Sequence, residues 1–223
     1  HRFRPNLVVT EQALKNPLAW GLIANRLNSR LGLWGHGATY GGSSNWVRDA
    51  CKAVLVRRSG WNFVYTEAGK DYLVSVGADR RRITVLNNSS DTDALSLELS
   101  AVTERIVQSL RTELGLGNSP IALFLGGIDS NKGIPFLLDT AVELQRTNSP
   151  VVIVFAGQGA LVPAVRDAEA SGLPVRYVGR ADGTRKAVLL RASSLLAIPR
   201  WVGLVAVDAV ASGIPLASTR NGT

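Results

Sequence analysis

Two periods of apolar residues alternate along this chain, and from about residue 115 to the end they predict strand, helix, strand, helix. Ile121-Ala-Leu-Phe-Leu125 is a continuous apolar run closed by Gly126-Gly127, the pattern of a strand buried on both faces. Ile134, Leu137, Leu138, Ala141, Val142 and Leu144 then recur at helical spacing, with Asp139, Glu143 and Arg146 on the other side. Val151-Val-Ile-Val-Phe155 is the next buried strand, about thirty residues on, which is the length of a βαβ unit. The alternation continues with a helix over 160–171, a strand over 175–178 and a helix over 184–192. A strand over 194–198, a helix over 203–212 and a last strand over 214–218 complete it. Four or five strands with helices between them dictate an α/β fold with a parallel, doubly wound sheet.

The first ninety or so residues repeat this grammar more loosely. Strands are expected over 6–10, 30–34, 62–66 and 83–86, and helices over 17–27, 45–56 and 67–76, as part of a second α/β sheet. Asn87-Asn-Ser-Ser-Asp-Thr-Asp93 is polar and rich in turn formers, so it reads as a linker between domains over 1–92 and 93–223. A single helix over 94–114 would lead into the second domain.

Composition narrows the class. A hydrophobic fraction of 46% with 19% charged residues is that of a globular chain, not of a disordered or collagenous one. One cysteine, Cys51, and two histidines exclude an intrachain disulfide and a Cys-rich zinc site, and the natural reading is a reducing, cytoplasmic compartment. No apolar run approaches the roughly 18 to 20 residues that span a bilayer, and the first residues lack the apolar stretch of a signal peptide. The net charge of +8 points to phosphates, anionic lipid headgroups or nucleic acid as partners. Nucleic acid is the poorest fit, because aromatic residues are not interleaved with the clusters Arg57-Arg58 and Arg80-Arg-Arg82. Solvated faces are the alternative fate of those clusters. The chain has no Met, which reads as a processed product or a fragment.

Chemistry is expected where strands end. Gly126-Gly-Ile-Asp-Ser-Asn-Lys132-Gly133 joins a buried strand to a helix, at the edge where open parallel sheets bind ligands and helix N-termini present free amides to anions. It is neither a Walker loop nor a clean G-x-G-x-x-G, and a tight turn with a solvated lysine is the competing reading. Pro199-Arg-Trp-Val-Gly203-Leu204 repeats the arrangement, followed by Asp208 among Val, Ala and Leu. A carboxylate there needs a partner, unless it lies on the polar side of its helix. Trp34-Gly-His36-Gly places a histidine just past a strand end, either in a site or as a structural turn residue. No G-x-S-x-G elbow exists for a Ser-His-Asp hydrolase.

Taken together these residues resemble a retaining glycosyltransferase of the GT-B fold, in the family 4 class that uses nucleotide-sugar donors. Gly126 to Gly133 is similar to that family's G-R-L-x-x-x-K-G loop, and Val154-Phe-Ala-Gly157-Gln-Gly159 to its V-x-x-G-x-G step. Tyr177-Val-Gly179-Arg180 resembles its strand-end loop near the nucleotide base, and Pro199 to Pro215 its P-x-x-x-G-L-x-x-x-(E/D)-x-x-x-x-G-x-P segment. Trp34-Gly-His36-Gly, Tyr65-Thr-Glu67 and Ile83-Thr-Val-Leu-Asn-Asn88 resemble stations of its acceptor domain.

The resemblance implies two Rossmann-like parallel-sheet domains, an acceptor-side one over 1–92 and a donor-binding one over 93–223. The first would be incomplete and the second truncated at its C-terminus. It implies sugar transfer from a nucleoside-diphosphate sugar to a hydroxyl of a saccharide or lipid-linked acceptor, with retention and without metal or cofactor. The setting would be bacterial surface polysaccharide or glycolipid synthesis, in the cytoplasm or peripherally at the anionic inner membrane face. By position, Lys132 holds the diphosphate with the amides of Gly203 and Leu204, beside Gly126 and Gly127. Gly179 and Arg180 lie near the base, Asp208 meets the ribose, and His36 faces the sugar and acceptor. The sequence departs from the pattern at Gly127, where the family has arginine, and at Arg200, where it has the first acid of a pair. Those departures keep open a non-catalytic nucleotide- or sugar-binding relative, and the charge keeps open a basic nucleic-acid-binding protein.

Overall fold

The computed structural model describes residues 5–27, 30–37, 46–87 and 90–219. Residue 45 at the head of one expected helix, and residues 88 and 89 of the expected linker, lie outside them. The chain divides into two compact units, His1–Asn88 and Ser89–Thr223.

In the first unit four parallel strands lie in the order of the sequence: β1 (Val8–Glu11), β2 (Leu31–Gly35), β3 (Trp61–Val64) and β4 (Ile83–Val85). Between them run α1 (Pro17–Ala24), α2 (Trp46–Arg58) and α3 (Glu67–Ser75). Asn16 opens α1 by accepting the amides of Leu18 and Ala19, and Thr66 opens α3 by accepting that of Gly69. Strand alternation sends Leu31, Leu33, Val64 and Ile83 to one face, where Ala19, Leu55 and Leu73 from the three helices complete a core. Val9, Trp34 and Trp61, on the other face, are exposed. The Arg80–Arg82 cluster forms one 3-10 turn and is held by carboxylates, with Arg80 on Asp71 at 2.7 Å and Arg81 on Asp79 at 3.4 Å.

The second unit is a five-stranded parallel sheet: β5 (Ile121–Leu125), β6 (Val152–Ala156), β7 (Val175–Tyr177), β8 (Leu195–Ala197) and β9 (Leu216–Ala217). Their order is β7-β6-β5-β8-β9. The order reverses at β5, so the crevice between the carboxyl ends of β5 and β8 is a topological switch point. Ile121 and Leu123 face one core, with Val154 and Ala156 of β6. Phe124, Ile153 and Phe155 face the other. Helices α4 (Thr92–Ser100), α5 (Glu104–Glu113), α8 (Gly183–Ala192) and α9 (Val205–Ser212) cover the first face, and α6 (Ile134–Arg146) and α7 (Val162–Ala170) the second. Burial on both sides explains why β5 and β6 are apolar at every position.

The helix expected over 94–114 is two helices. Asp91 caps α4 by accepting the amide of Ala94 at 2.9 Å, three residues ahead of the expected start. The chain breaks at 101–103, where Thr103 takes an extended conformation and Glu104 begins the next helix. Buried Val102 pins the break into the core. Val102 continues the apolar pattern, so periodicity alone runs across the break.

Candidate functional site

Three loops at the carboxyl edge of the second unit are stitched together by backbone hydrogen bonds. Gly126 and Ile128, after β5, donate to Ala156 and Gln158 at 3.0 and 2.8 Å, and Gly157 donates to Gly179 at 2.7 Å. The loops touch so closely that a Cβ on Gly157 would fall 1.8 Å from the Gly126 carbonyl oxygen. Asp129 adds a side-chain tie, accepting the amide of Ala160 at 3.0 Å. Over this layer opens a cavity of about 420 Å³ lined by Gly126, Gly127, Gly157, Gln158, Arg180, Asp182, Lys186, Val205 and Asp208, among others. Its size suits a small polar ligand.

Of the residues singled out from the sequence, Gly126, Gly127, Arg180 and Asp208 meet at this cavity. Gly179 stands behind it with its carbonyl on the Gly157 amide, and Arg180 is paired with Asp182 at 2.6 Å. Gly203 and Leu204 lead directly into α9, and their carbonyls accept the amides of Ala206 and Val207 at 3.2 and 2.9 Å. Asp208 falls in the first turn of α9, where the helix dipole favours a negative charge.

Lys132 is placed otherwise. Its ammonium donates to the Trp201 carbonyl at 2.6 Å, joining the loop after β5 to the loop after β8, and Lys132 is absent from the cavity lining. The contact follows from close packing: Gly133, at φ 76°, turns the chain into α6, and a Cβ there would lie 2.9 Å from Pro199 Cβ. Partial burial pushes the Lys132 ammonium below the ordinary lysine range, against the opposing charge of Asp129. Arg200 lines a second cavity of about 430 Å³, with Ser130, Gly133, Phe136, Pro199 and Thr219.

Asp208 is buried, and the partner it requires is Lys186 of α8, whose Nζ lies 3.1 Å from Oδ1. Sequence reasoning asked for such a partner without finding it. The signal available was a lysine directly before the apolar run Ala187–Leu190, on the helix preceding β8.

His36, in the first unit, lies just past β2 and packs edge-on against Tyr65, with ring centroids 4.7 Å apart. Trp34 meets the same tyrosine at 6.1 Å. The backbone here is locked on α3: a Cβ on Gly69 would sit 2.7 Å from the His36 carbonyl oxygen. Among the described residues no group of three or more His, Cys, Asp and Glu has the spacing to hold a metal ion. No helix among them is long and apolar enough to cross a membrane.

Residues 119–223 match the family model of glycosyl transferases group 1. D-inositol 3-phosphate glycosyltransferase of Corynebacterium kroppenstedtii is 30% identical over 190 residues, covering 78% of this chain and 41% of that protein. Anabaena HepE in complex with UDP-glucose superposes with a TM-score of 0.72 at 20% identity, covering 97% of this chain and 60% of that one. UDP-GlcNAc 2-epimerase of Neisseria meningitidis, bound to UDP-GlcNAc, superposes at 0.64 and 20% identity, covering 98% and 60%. The chain thus spans about two fifths of the curated relative and three fifths of these structures. At such identities the structural likeness speaks for the fold alone, two Rossmann-like parallel-sheet units of the GT-B class.

Proposed function

We propose that this chain belongs to a retaining glycosyltransferase of the family 4 class, moving a sugar from a nucleoside-diphosphate donor to an acceptor hydroxyl. The observation that carries the reading is the glycine-lined cavity at the carboxyl edge of β5, β6 and β7, with the N-terminal turn of α9 in its wall. Residues 93–223 bind the donor, with Gly126, Gly127, Lys132, Gly203 and Leu204 toward the diphosphate, Gly179 and Arg180 toward the base, and Asp208 toward the ribose. Residues 1–92 belong to the acceptor side, with His36 directed to the reacting sugar. The departing diphosphate gains negative charge as the glycosidic bond to it breaks. A lysine ammonium and the amides of a helix N-terminus stabilise that charge without a divalent ion. Lys132 takes this role by exchanging the Trp201 carbonyl for a phosphate oxygen, a stronger acceptor for an ammonium.

The acceptor is a saccharide or lipid-linked sugar in surface polysaccharide or glycolipid synthesis. Its site is cytoplasmic, at or near an anionic membrane face suited to a net charge of +8. Glycine at 127 and arginine at 200 favour, as a second reading, a relative that binds nucleotide without transfer. A thermal-shift panel of UDP, GDP and a single-stranded oligonucleotide tests the class: stabilisation by a diphosphate alone is expected, and by the oligonucleotide alone would overturn it. Transfer or donor hydrolysis over a panel of UDP- and GDP-sugars then separates enzyme from binder.

A further inference from the structure

Of the charged residues in the cavity wall, the donor reading gives no task to Asp182 and Lys186, and Lys186 is the cation of the two. Its partner Asp208 is the more buried of the pair, with side-chain exposures of 12% against 25% for the lysine. Both residues line the cavity, and the lysine side chain is the more exposed of the two. A pair made only for stability would gain from being sealed or replaced by apolar residues. This one instead fixes a long, flexible cation at a cavity floored by glycines. The neighbouring cations differ: Lys132 is turned to the Trp201 carbonyl, and Arg180 is tied to Asp182 in an exposed pair, both side chains more than two thirds open to solvent. Gly127, which lines the same cavity, offers no side chain, and a Cβ there would meet only the Asp129 carboxylate, at 3.1 Å.

We propose that Lys186 is a donor-anchoring residue: its ammonium, oriented by Asp208, contacts the diphosphate of the nucleotide and adds from α8 a positive charge in the cavity wall, where Gly127 of the loop offers no side chain. This rests on the donor-site reading above. Asp208 accepts one of the three ammonium hydrogens and leaves two for phosphate oxygens, so the ion pair persists on binding.

The test is calorimetric titration of the whole chain with UDP, GDP and ADP, with the parent nucleoside of the tightest binder as control. Lys186→Gln keeps a donor for Asp208 and removes the charge. It is expected to weaken diphosphate binding by about tenfold or more, as loss of a charge-assisted contact does, and to leave nucleoside binding within about twofold. Lys186→Arg should retain most of the affinity, and Gly127→Arg added to Lys186→Gln should restore much of it. Equal losses for nucleoside and diphosphate would make Lys186 a structural residue and overturn the proposal, as would a Lys186→Gln protein that binds diphosphate like the wild type. Should Lys186→Gln not fold, Lys186→Arg decides: a tenfold loss of diphosphate binding in a folded arginine variant overturns the charge role. A wild type that binds none of the three diphosphates removes the donor reading itself and the proposal with it.

Discussion

Lys132 shows how a motif can name a side chain without giving its partner in the fold. The loop Gly126–Gly133 marks a lysine near a strand end, but its direction is set by the Trp201 carbonyl, 69 residues further along the chain. Only the folded packing of Gly133 on Pro199 brings that carbonyl within reach. Asp208 is the converse: a charge in an apolar helix announces that a partner exists, whereas which cation answers depends on how α8 and α9 lie on one sheet face. Lys132→Ala should weaken diphosphate binding by about 1.5–3 kcal/mol, the range for hydrogen bonds to charged groups. Titration with diphosphate and with the parent nucleoside checks it, and the nucleoside should be unaffected. A pH dependence follows from the same residue. Because burial holds the Lys132 ammonium below the ordinary lysine range, the unfolded chain binds more protons than the folded one between the two values. Folding stability therefore rises slightly with pH in that window. Diphosphate affinity, which needs the charged form, should fall as pH rises through the lowered folded value. Comparing affinities of wild type and Lys132→Arg from neutral to alkaline pH isolates the effect, since ionisation of the nucleotide base is common to both. The arginine profile should stay flatter.

At the scale of elements, the decisive feature is the meeting of two loops across the switch point between β5 and β8. Gly133 has both a left-handed φ of 76° and a neighbour in the way, Pro199 Cβ at 2.9 Å. Gly172, at φ 86° after α7, has nothing within 4 Å of its missing Cβ. The pair separates backbone strain from crowding. Gly172→Ala should cost about 1–2 kcal/mol, the penalty of a left-handed residue with a side chain. Gly133→Ala should cost more, because the 199–204 loop must also shift, and it should weaken diphosphate binding where Gly172→Ala does not. Chemical denaturation of both variants, followed by nucleotide titration, measures the two effects. Elements themselves were legible where burial is two-sided. The runs 121–125 and 152–156 are apolar throughout because helices cover both faces, and that pattern reads directly as a central strand. The break between α4 and α5 was not, since Ala101 and Val102 carry the apolar pattern forward and the only local cue is the pair Thr103-Glu104. Strand order was legible only as a class: alternation calls for a parallel sheet, but that β5 lies beside both β6 and β8 is a tertiary outcome.

For the whole molecule, two units with separate cores mean that a single melting temperature need not describe unfolding. Trp20, Trp34, Trp46 and Trp61 stand in the first unit and Trp201 alone in the second, so indole fluorescence divides along the same line. The lining residues of the glycine-floored cavity all belong to the second unit, and a ligand stabilises only the cooperative unit that binds it. In a Trp201→Phe protein, fluorescence then reports the first unit, while circular dichroism reports both. A bound nucleoside diphosphate at about a hundredfold Kd adds about 2.7 kcal/mol to its unit, enough to raise that transition by several degrees. The expected result is a dichroism curve whose later or broadened step moves up with UDP or GDP while the fluorescence transition stays in place. Equal shifts by both probes would show that the two units unfold as one cooperative block despite their separate cores. In the tryptophan-intact protein Trp201 gives a second readout. Its carbonyl accepts from Lys132 and the residue is 38% exposed, so on the proposed donor reading, in which Lys132 exchanges that carbonyl for a phosphate, titration with diphosphate should change the emission of the wild type. The change should vanish in Trp201→Phe, and its survival there would move the ligand away from the β5 and β8 loops.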